Sequence, residues 1–397
     1  MKGRKLFQTV GLAQSNSMNV EQTLAELVSI DSRSSVSNLA VINYAAPRLE
    51  ALGLCTRLYP YRDERGVKKF NLVAVYPKSF EDGSEIELAL VGHTDTVPFD
   101  PAWGGALALE RREGKLYGRG ACDTKGFIAA ALAALAETDL SKLTRPLALV
   151  LTADEEVGCL GAKRLAEARP FRARSAVIGE PTSLRPMRAG KGYCLAEVTL
   201  RGREGHSAYP ALGASAITRA ARLVTRVEAI AEELKGEAHD AFDPPHTTIN
   251  VGRIEGGTAK NIIAGECRFT LEWRPLPGQP PERVVELVRR EAEALRAADG
   301  DFVYEVEVTR LDRGVETRAD SPLVRALEEA TGLEAGTISF GTEAPQLAEL
   351  GADAVVFGPG DIRVAHRTGE FVPAAELDEA VSILRRIIER FCAPAHP

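Results

Sequence analysis

Short apolar runs that stop at chemically capable side chains set the rhythm of this chain. Residues 86–91 lead into Gly92-His93-Thr94-Asp95, residues 147–152 into Asp154-Glu155-Glu156, and residues 176–178 into Gly179-Glu180. Runs of this length, bounded by turn signals, predict buried strands. Between the first two lies an alanine-rich stretch, 126–136, that reads as a helix. Strands alternating with helices predict an α/β domain whose sheet is covered on both faces. Ligands of such sheets sit beyond the carboxyl ends of the strands. The polar residues just named fall at that edge.

The rhythm changes after residue 193. Residues 194–200, 247–254, 266–273 and 302–308 read as strands, and 214–234 and 281–298 as helices. The order is βαββαβ, the ferredoxin-like pattern. It predicts a small α+β domain inserted into the larger one. The chain then returns with a helix at 322–331, a strand at 354–357 and a last helix at 374–391. The expected division is residues 20–193 and 309–397 for the larger domain, 194–308 for the smaller, and 1–19 as a flexible tail. The Pro/Gly-rich residues 275–281 read as a turn between elements, and no internal repeat is present.

The chain has 397 residues, of which 45% are hydrophobic and 26% charged, so cores of ordinary size are available for more than one domain. Its net charge of −7 gives no support to a nucleic-acid partner, which calls for a basic patch. A small anionic substrate stays open, because a local arginine outweighs a weak global field. The six cysteines are scattered without a C-x-x-C pair and read as reduced, buried thiols. No apolar run reaches the ~18 residues of a membrane span. The N-terminal stretch fits a secretory signal poorly, since its apolar part is short and interrupted by Gln8 and Thr9. A cytoplasmic, membrane-free protein is expected.

The candidate chemistry is that of metal-ligating carboxylates and imidazoles. His93 and Asp95 are two apart, so on an extended segment they face the same way, and Asp95 stands where it supports the imidazole. A buried structural histidine beside a surface aspartate explains the pair equally well. Asp123 precedes a helix and has three glycines around it, Gly118 and Gly120 before it and Gly126 after it. It reads as an ordinary N-cap or as a carboxylate held at a metal centre. Glu155 and Glu156 are adjacent, so one can bind metal while the other takes a proton; a solvated acidic loop is the plain alternative. Glu180 and His366 are further single candidates in turn settings.

In order and combination, residues 92–98, 118–126, 152–158 and 179–182 resemble the motifs of the M20 metallopeptidase family. The resemblance runs from about residue 20 to 391. It implies a zinc-exopeptidase-like α/β/α catalytic domain with an inserted ferredoxin-like dimerisation (lid) domain, and two divalent ions per chain, zinc foremost with cobalt possible. Carried over by position, Asp123 would bridge both ions. His93 and Glu180 would complete one ion's ligands, and Glu156 and His366 the other's. Glu155 would be the general base, with Asp95 behind His93. His206 would reach the site of a partner subunit in a homodimer and stabilise the oxyanion. Asn261, Arg274, Gly341 and Thr342 would contact substrate. A narrower resemblance, to the acetylornithine deacetylase branch, rests on residues 179–182, 243–252, 256–263 and 274–278. It implies hydrolysis of an N-acetyl amino acid in arginine biosynthesis. Residues 101–106 and 188–192 depart from that branch near the expected cleft. Desuccinylase, acetylcitrulline deacetylase and dipeptidase specificities therefore stay open, as does a metal-binding homologue without catalysis. The presence of Glu155 counts against the last.

Overall fold

The computed structural model describes residues 18–77 and 81–394, so the tail expected at 1–19 lies outside the described residues except for Met18 and Asn19. Helices α1 (Val20–Val28) and α2 (Leu39–Ala51) precede strands β1 (Cys55–Arg62), β2 (Lys68–Tyr76) and β3 (Ser84–His93). The short strands β4 (Glu110–Arg112) and β5 (Lys115–Tyr117) lead to α3 (Lys125–Glu137), β6 (Leu147–Thr152), α4 (Leu160–Ala168), β7 (Phe171–Ile178) and β8 (Met187–Gly190). Then come β9 (Tyr193–Arg201), β10 (Gly205–His206), α5 (Ala216–Leu234), β11 (Thr248–Gly256), β12 (Ile262–Ile263), β13 (Glu266–Arg274), α6 (Arg283–Ala298) and β14 (Val303–Asp312). The chain closes with β15 (Val315–Glu316), α7 (Pro322–Thr331), β16 (Gly336–Ile338), α8 (Ala344–Glu349), β17 (Asp353–Val356), β18 (Phe371–Pro373) and α9 (Ala374–Cys392).

The main sheet runs β1-β2-β6-β3-β7-β17-β8-β15, with β16 paired to β8. Strand β3 pairs in parallel with β6 on one side and β7 on the other. The chain therefore passes from β3 through α3 to β6, then through α4 to the far side of β3. That reversal opens a crevice at the carboxyl ends of β3, β6 and β7. Alternation along β3 serves two cores. Leu88 and Leu90 join the layer of α1, α3 and α9, while Ala89 and Val91 face the layer of α4 and α8. The alanines of α3 let it lie buried from Lys125 to Leu135, close against α1 and α9.

Strands β11-β13-β9-β14 form a separate antiparallel sheet. In chain order of its strands that is 2-3-1-4, the arrangement the βαββαβ pattern predicts. With α5 and α6 it closes over its own core, which includes Val198, Leu223, Trp273 and Val288. Strand β14 continues to Asp312, past the expected end at 308, because a bulge between Val308 and Arg310 keeps it paired with β9. Among the described residues no helix is long and apolar enough to cross a membrane.

Candidate metal and catalytic site

Strand β3 ends at His93, whose Nδ1 lies 3.0 Å from the backbone carbonyl of Asp95 and whose Nε2 lies 3.0 Å from Asp123 Oδ1. The Asp95 carboxylate is turned elsewhere. It accepts the backbone N–H groups of Glu155 and Glu156 at 3.1 and 3.3 Å, and the Ser34 hydroxyl at 2.8 Å. Asp95 thus orients the imidazole mainly through its main-chain oxygen and pins the turn after β6 through its side chain. The sequence reading expected support of the imidazole by the Asp95 carboxylate, whose Oδ1 stands farther off, 3.7 Å from His93 Nδ1.

Asp123 stands at the start of α3. Its backbone N–H and that of Cys122 donate to Glu370 Oε1 at 3.0 and 2.9 Å, and the other Glu370 oxygen pairs with Arg119. Glu370 is fully buried. His366 enters from a left-handed turn with φ 60°, and its Nε2 lies 3.0 Å from both Asp123 Oδ2 and Glu156 Oε2. Glu180 follows β7 after the single residue Gly179. Behind it, the Phe127 ring of α3 packs so closely on Gly179 that a Cβ there would lie 2.1 Å from Phe127 Cδ1. The Thr124 hydroxyl donates to the Gly179 carbonyl at 2.9 Å. Gly179→Ala is therefore expected to cost about 1–3 kcal/mol by overpacking, read as a lower urea midpoint, and to loosen Glu180 with it.

These side chains converge. One donor atom each from His93, Glu155 and Glu180 lie within 4.8 Å of one another, and the same holds for His93, Asp123 and Glu156. Glu155 thus sits at ligand distance as well as beside its neighbour Glu156. Burial raises the pKa of Glu155, Glu156 and Glu180, and repulsion from Asp123 and from one another adds to it, against the pull of His93. Burial would also raise Asp123, but its hydrogen bonds to His366 and His93 hold it below the ordinary carboxylate range. Burial works against a charge on His93, yet Asp123 and the surrounding carboxylates lift it well above the usual imidazole value. Asp123 and Glu156 lift His366 to about 10. Among the described residues no lysine or arginine forms an ion pair with Glu155, Glu156 or Glu180, and Glu156 Oε1 is buried without a hydrogen-bond partner. Buried charges without partners are strongly unfavourable. A donor set of carboxylate oxygens and imidazole nitrogens suits divalent cations, zinc included, so the residues present fit a metal.

A second layer was invisible in the sequence. Asp154, in a left-handed turn with φ 58°, accepts from buried Lys69 at 2.6 Å and from Tyr61 at 2.8 Å, and Lys69 also donates to the Ser34 carbonyl. Glu343 is buried nearby, and burial lifts it to about 7.

The cluster opens on a cavity of about 330 Å³ whose other wall is Tyr193, Arg274, Arg310, Phe340, Gly341 and Ile362. Of the expected substrate contacts, Arg274 and Gly341 line it. Thr342 is buried beside it, its hydroxyl accepting the Ala344 N–H at the start of α8. His206 and Asn261 are not among its lining residues. They lie exposed on the β10–β12 ribbon, joined there by Ser207 N–H to the Asn261 carbonyl at 3.1 Å. A larger groove of about 580 Å³ along Gly202, Glu204 and Gly256 holds no imidazole and lies away from the cluster.

The profile of peptidase family M20/M25/M40 matches residues 89–390. The chain belongs to the M20 peptidase family. An acetylornithine deacetylase from Myxococcus xanthus is 55% identical over 371 residues, covering 93% of this M20 chain and 97% of its own. An acetylornithine deacetylase from Proteus mirabilis is 37% identical over 91% of this chain and 92% of its own. The crystal structure of a tripeptidase from Staphylococcus aureus superposes with a TM-score of 0.74 at 25% identity, covering 94% of this chain and 97% of that one. M20 enzymes are metal-dependent, in keeping with the donor cluster.

In this M20 chain the Arg119–Glu370 pair is the brace of the Asp123 turn. Glu370→Gln would turn an amide N–H toward Arg119 or toward the Cys122 and Asp123 N–H groups, and would leave the buried guanidinium without its counter-charge. A loss of about 3–5 kcal/mol is expected, measured by denaturation, together with weaker metal retention on dialysis.

Proposed function

We propose that this protein hydrolyses the amide of an N-acyl amino acid, N2-acetyl-L-ornithine foremost, giving L-ornithine and acetate as in arginine biosynthesis. The observation that carries the reading is the convergence of His93, Asp123, Glu155, Glu156, Glu180 and His366 on one cavity whose facing wall holds arginines. The names of the two deacetylase relatives point to the same substrate. Two zinc ions, or cobalt in their place, are the proposed cofactors. Asp123 would bridge them, His93 and Glu180 would serve one, and Glu156 and His366 the other. Such ions, when bound, supply water activation near neutral pH and polarisation of the scissile carbonyl.

Glu155 is the proposed general base. Its backbone is fixed by Asp95, and the Cys159 thiol donates to its Oε1 at 3.3 Å, so its carboxylate is held toward the cavity. It takes the proton of the attacking water and passes it to the leaving nitrogen. Arg274 holds the substrate carboxylate through its planar fork. Gly341 and Thr342 shape the wall beside it.

His206 and Asn261 are assigned to the site of a partner subunit. The edge strand β11 and the exposed Tyr209, Leu212, Ile217, Ile254 and Ile262 support a homodimer through the 194–308 domain, since exposed apolar groups beside an open strand favour pairing. The protein is placed in the cytoplasm.

Chelation should abolish activity, with recovery on adding zinc or cobalt. Assay of N-acetylornithine, N-acetylcitrulline and N-succinyl-diaminopimelate on the zinc-loaded enzyme is expected to give the highest kcat/KM with the first. A higher value for either other substrate would reassign the specificity, and turnover of none would remove the N-acyl amino acid reading.

A further inference from the structure

Arg310 has no part in the ligand set or the expected substrate contacts, yet it occupies the wall facing them. Strand β9 lies between β13 and β14, and Tyr193 opens it at the cavity. From one neighbour, the Arg274 guanidinium carbon sits 3.8 Å from the Tyr193 ring centre; from the other, that of Arg310 sits 4.3 Å away. The β14 bulge falls immediately before Arg310. Bulges beside active sites commonly re-aim a side chain. The Arg310 side chain is mostly buried, with 14% exposed. Its Nε donates to Asp312, which also pairs with Lys163, and its Nη2 lies 3.7 Å from Cys159 Sγ. Among the described residues no other protein acceptor reaches it, although a guanidinium carries five N–H donors. Gly341 makes room for it: a Cβ there would lie 3.3 Å from Arg310 Nη2.

We propose that Arg310 is a specificity-determining residue that completes, with Arg274, a two-guanidinium clamp for the α-carboxylate of the substrate. The proposal rests on the reading of the site as an N-acyl amino acid hydrolase and names which part of that substrate the small domain recognises. The cavity is divided by charge. Asp123, Glu155, Glu156 and Glu180 form one wall and the two arginines the other. An N-acyl amino acid is divided in the same sense. Its carboxylate carbon is separated from the acyl carbon by only the nitrogen and Cα, a span of roughly 3–4 Å from standard bond lengths. When the amide faces the donor cluster, the carboxylate faces the arginines. Both guanidiniums lie against the Tyr193 ring by cation–π contact. Arg274 commits its Nε to Glu272 and its Nη1 to the Ser339 carbonyl, and Arg310 its Nε to Asp312, which leaves Nη2 of Arg274 and Nη1 of Arg310 for substrate oxygen.

The test compares kcat and KM for N-acetyl-L-ornithine and for its α-carboxamide, or for the best N-acyl amino acid and its carboxamide if another proves better. Wild type, Arg310→Gln and Arg310→Lys are measured as zinc-loaded full-length protein. Arg310→Gln is expected to raise KM for the carboxylate substrate about 10–100-fold, the range for losing a hydrogen bond to a charged group. Its KM for the carboxamide should stay within about twofold. Arg310→Lys should show a smaller loss, again confined to the carboxylate. If Arg310→Gln does not fold, the Lys variant decides by the same criterion. An unchanged KM for the carboxylate, or an equal loss on both substrates, overturns the clamp while leaving the hydrolase reading intact. A wild type inactive on every N-acyl amino acid overturns that reading and the clamp together.

Discussion

Glu155→Gln is expected to lower kcat by about 10²–10⁴-fold, the range for loss of general acid–base help, while metal content is unchanged. The amide matches the carboxylate in shape, and its oxygen can still accept the Cys159 thiol. The turn itself is held by Asp95 through backbone N–H groups that the substitution leaves in place. What disappears is the proposed proton acceptor. Stability should move the other way. Burial and repulsion from Glu156 and Asp123 disfavour charge on Glu155, so removing it relieves the crowded carboxylates. A slow enzyme with an equal or higher Tm is the expected signature, as at other sites where function costs stability. Steady-state kinetics, metal analysis and thermal melting on one preparation check it. A rate near wild type would refute the base assignment, and loss of metal would make Glu155 a ligand instead.

Asp123→Ala is expected to abolish both activity and metal binding, whereas Glu156→Ala or His366→Ala should lower metal content only partly. The reason is geometric. Asp123 offers one oxygen toward His93 and the other toward His366, each at 3.0 Å, so it belongs to both halves of the cluster. Glu156 and His366 meet each other at 3.0 Å on one side only. On the proposed ligand set, removing the shared carboxylate would take a ligand from each ion, while removing a terminal one would weaken a single ion. Elemental analysis after dialysis distinguishes the cases: toward none for Asp123→Ala, toward one per chain for the others. Two ions per chain in all three variants would show that the ligand assignment is wrong.

Much of the site is legible along the chain because its residues stop strands. An apolar run must be buried on both faces, and the first polar side chain after it marks where the sheet edge meets solvent. His93, Glu155, Glu156 and Glu180 are all found that way. His366 is not, since it sits in a left-handed turn after a 3-10 segment rather than at a strand end; its turn-like setting marks it only as a single candidate. The braces are harder still. Glu370 holds the Asp123 turn across 247 residues, and Lys69 reaches Asp154 across 85. A buried carboxylate or ammonium looks like any surface charge until its surroundings are known.

Apolar runs and local alternation pointed to β3, α3, β6 and β7 and to the βαββαβ order of the smaller unit, because burial follows local pattern, while β1, β2, α2 and α4 went unread. Which strand lies beside which, and therefore that β3 stands between β6 and β7 with a crevice at its end, came only from the fold. So did the second task of Asp95 and the meeting of Arg274 and Arg310 on Tyr193. Contacts of that kind depend on distances between segments remote in sequence, and no local pattern encodes those distances.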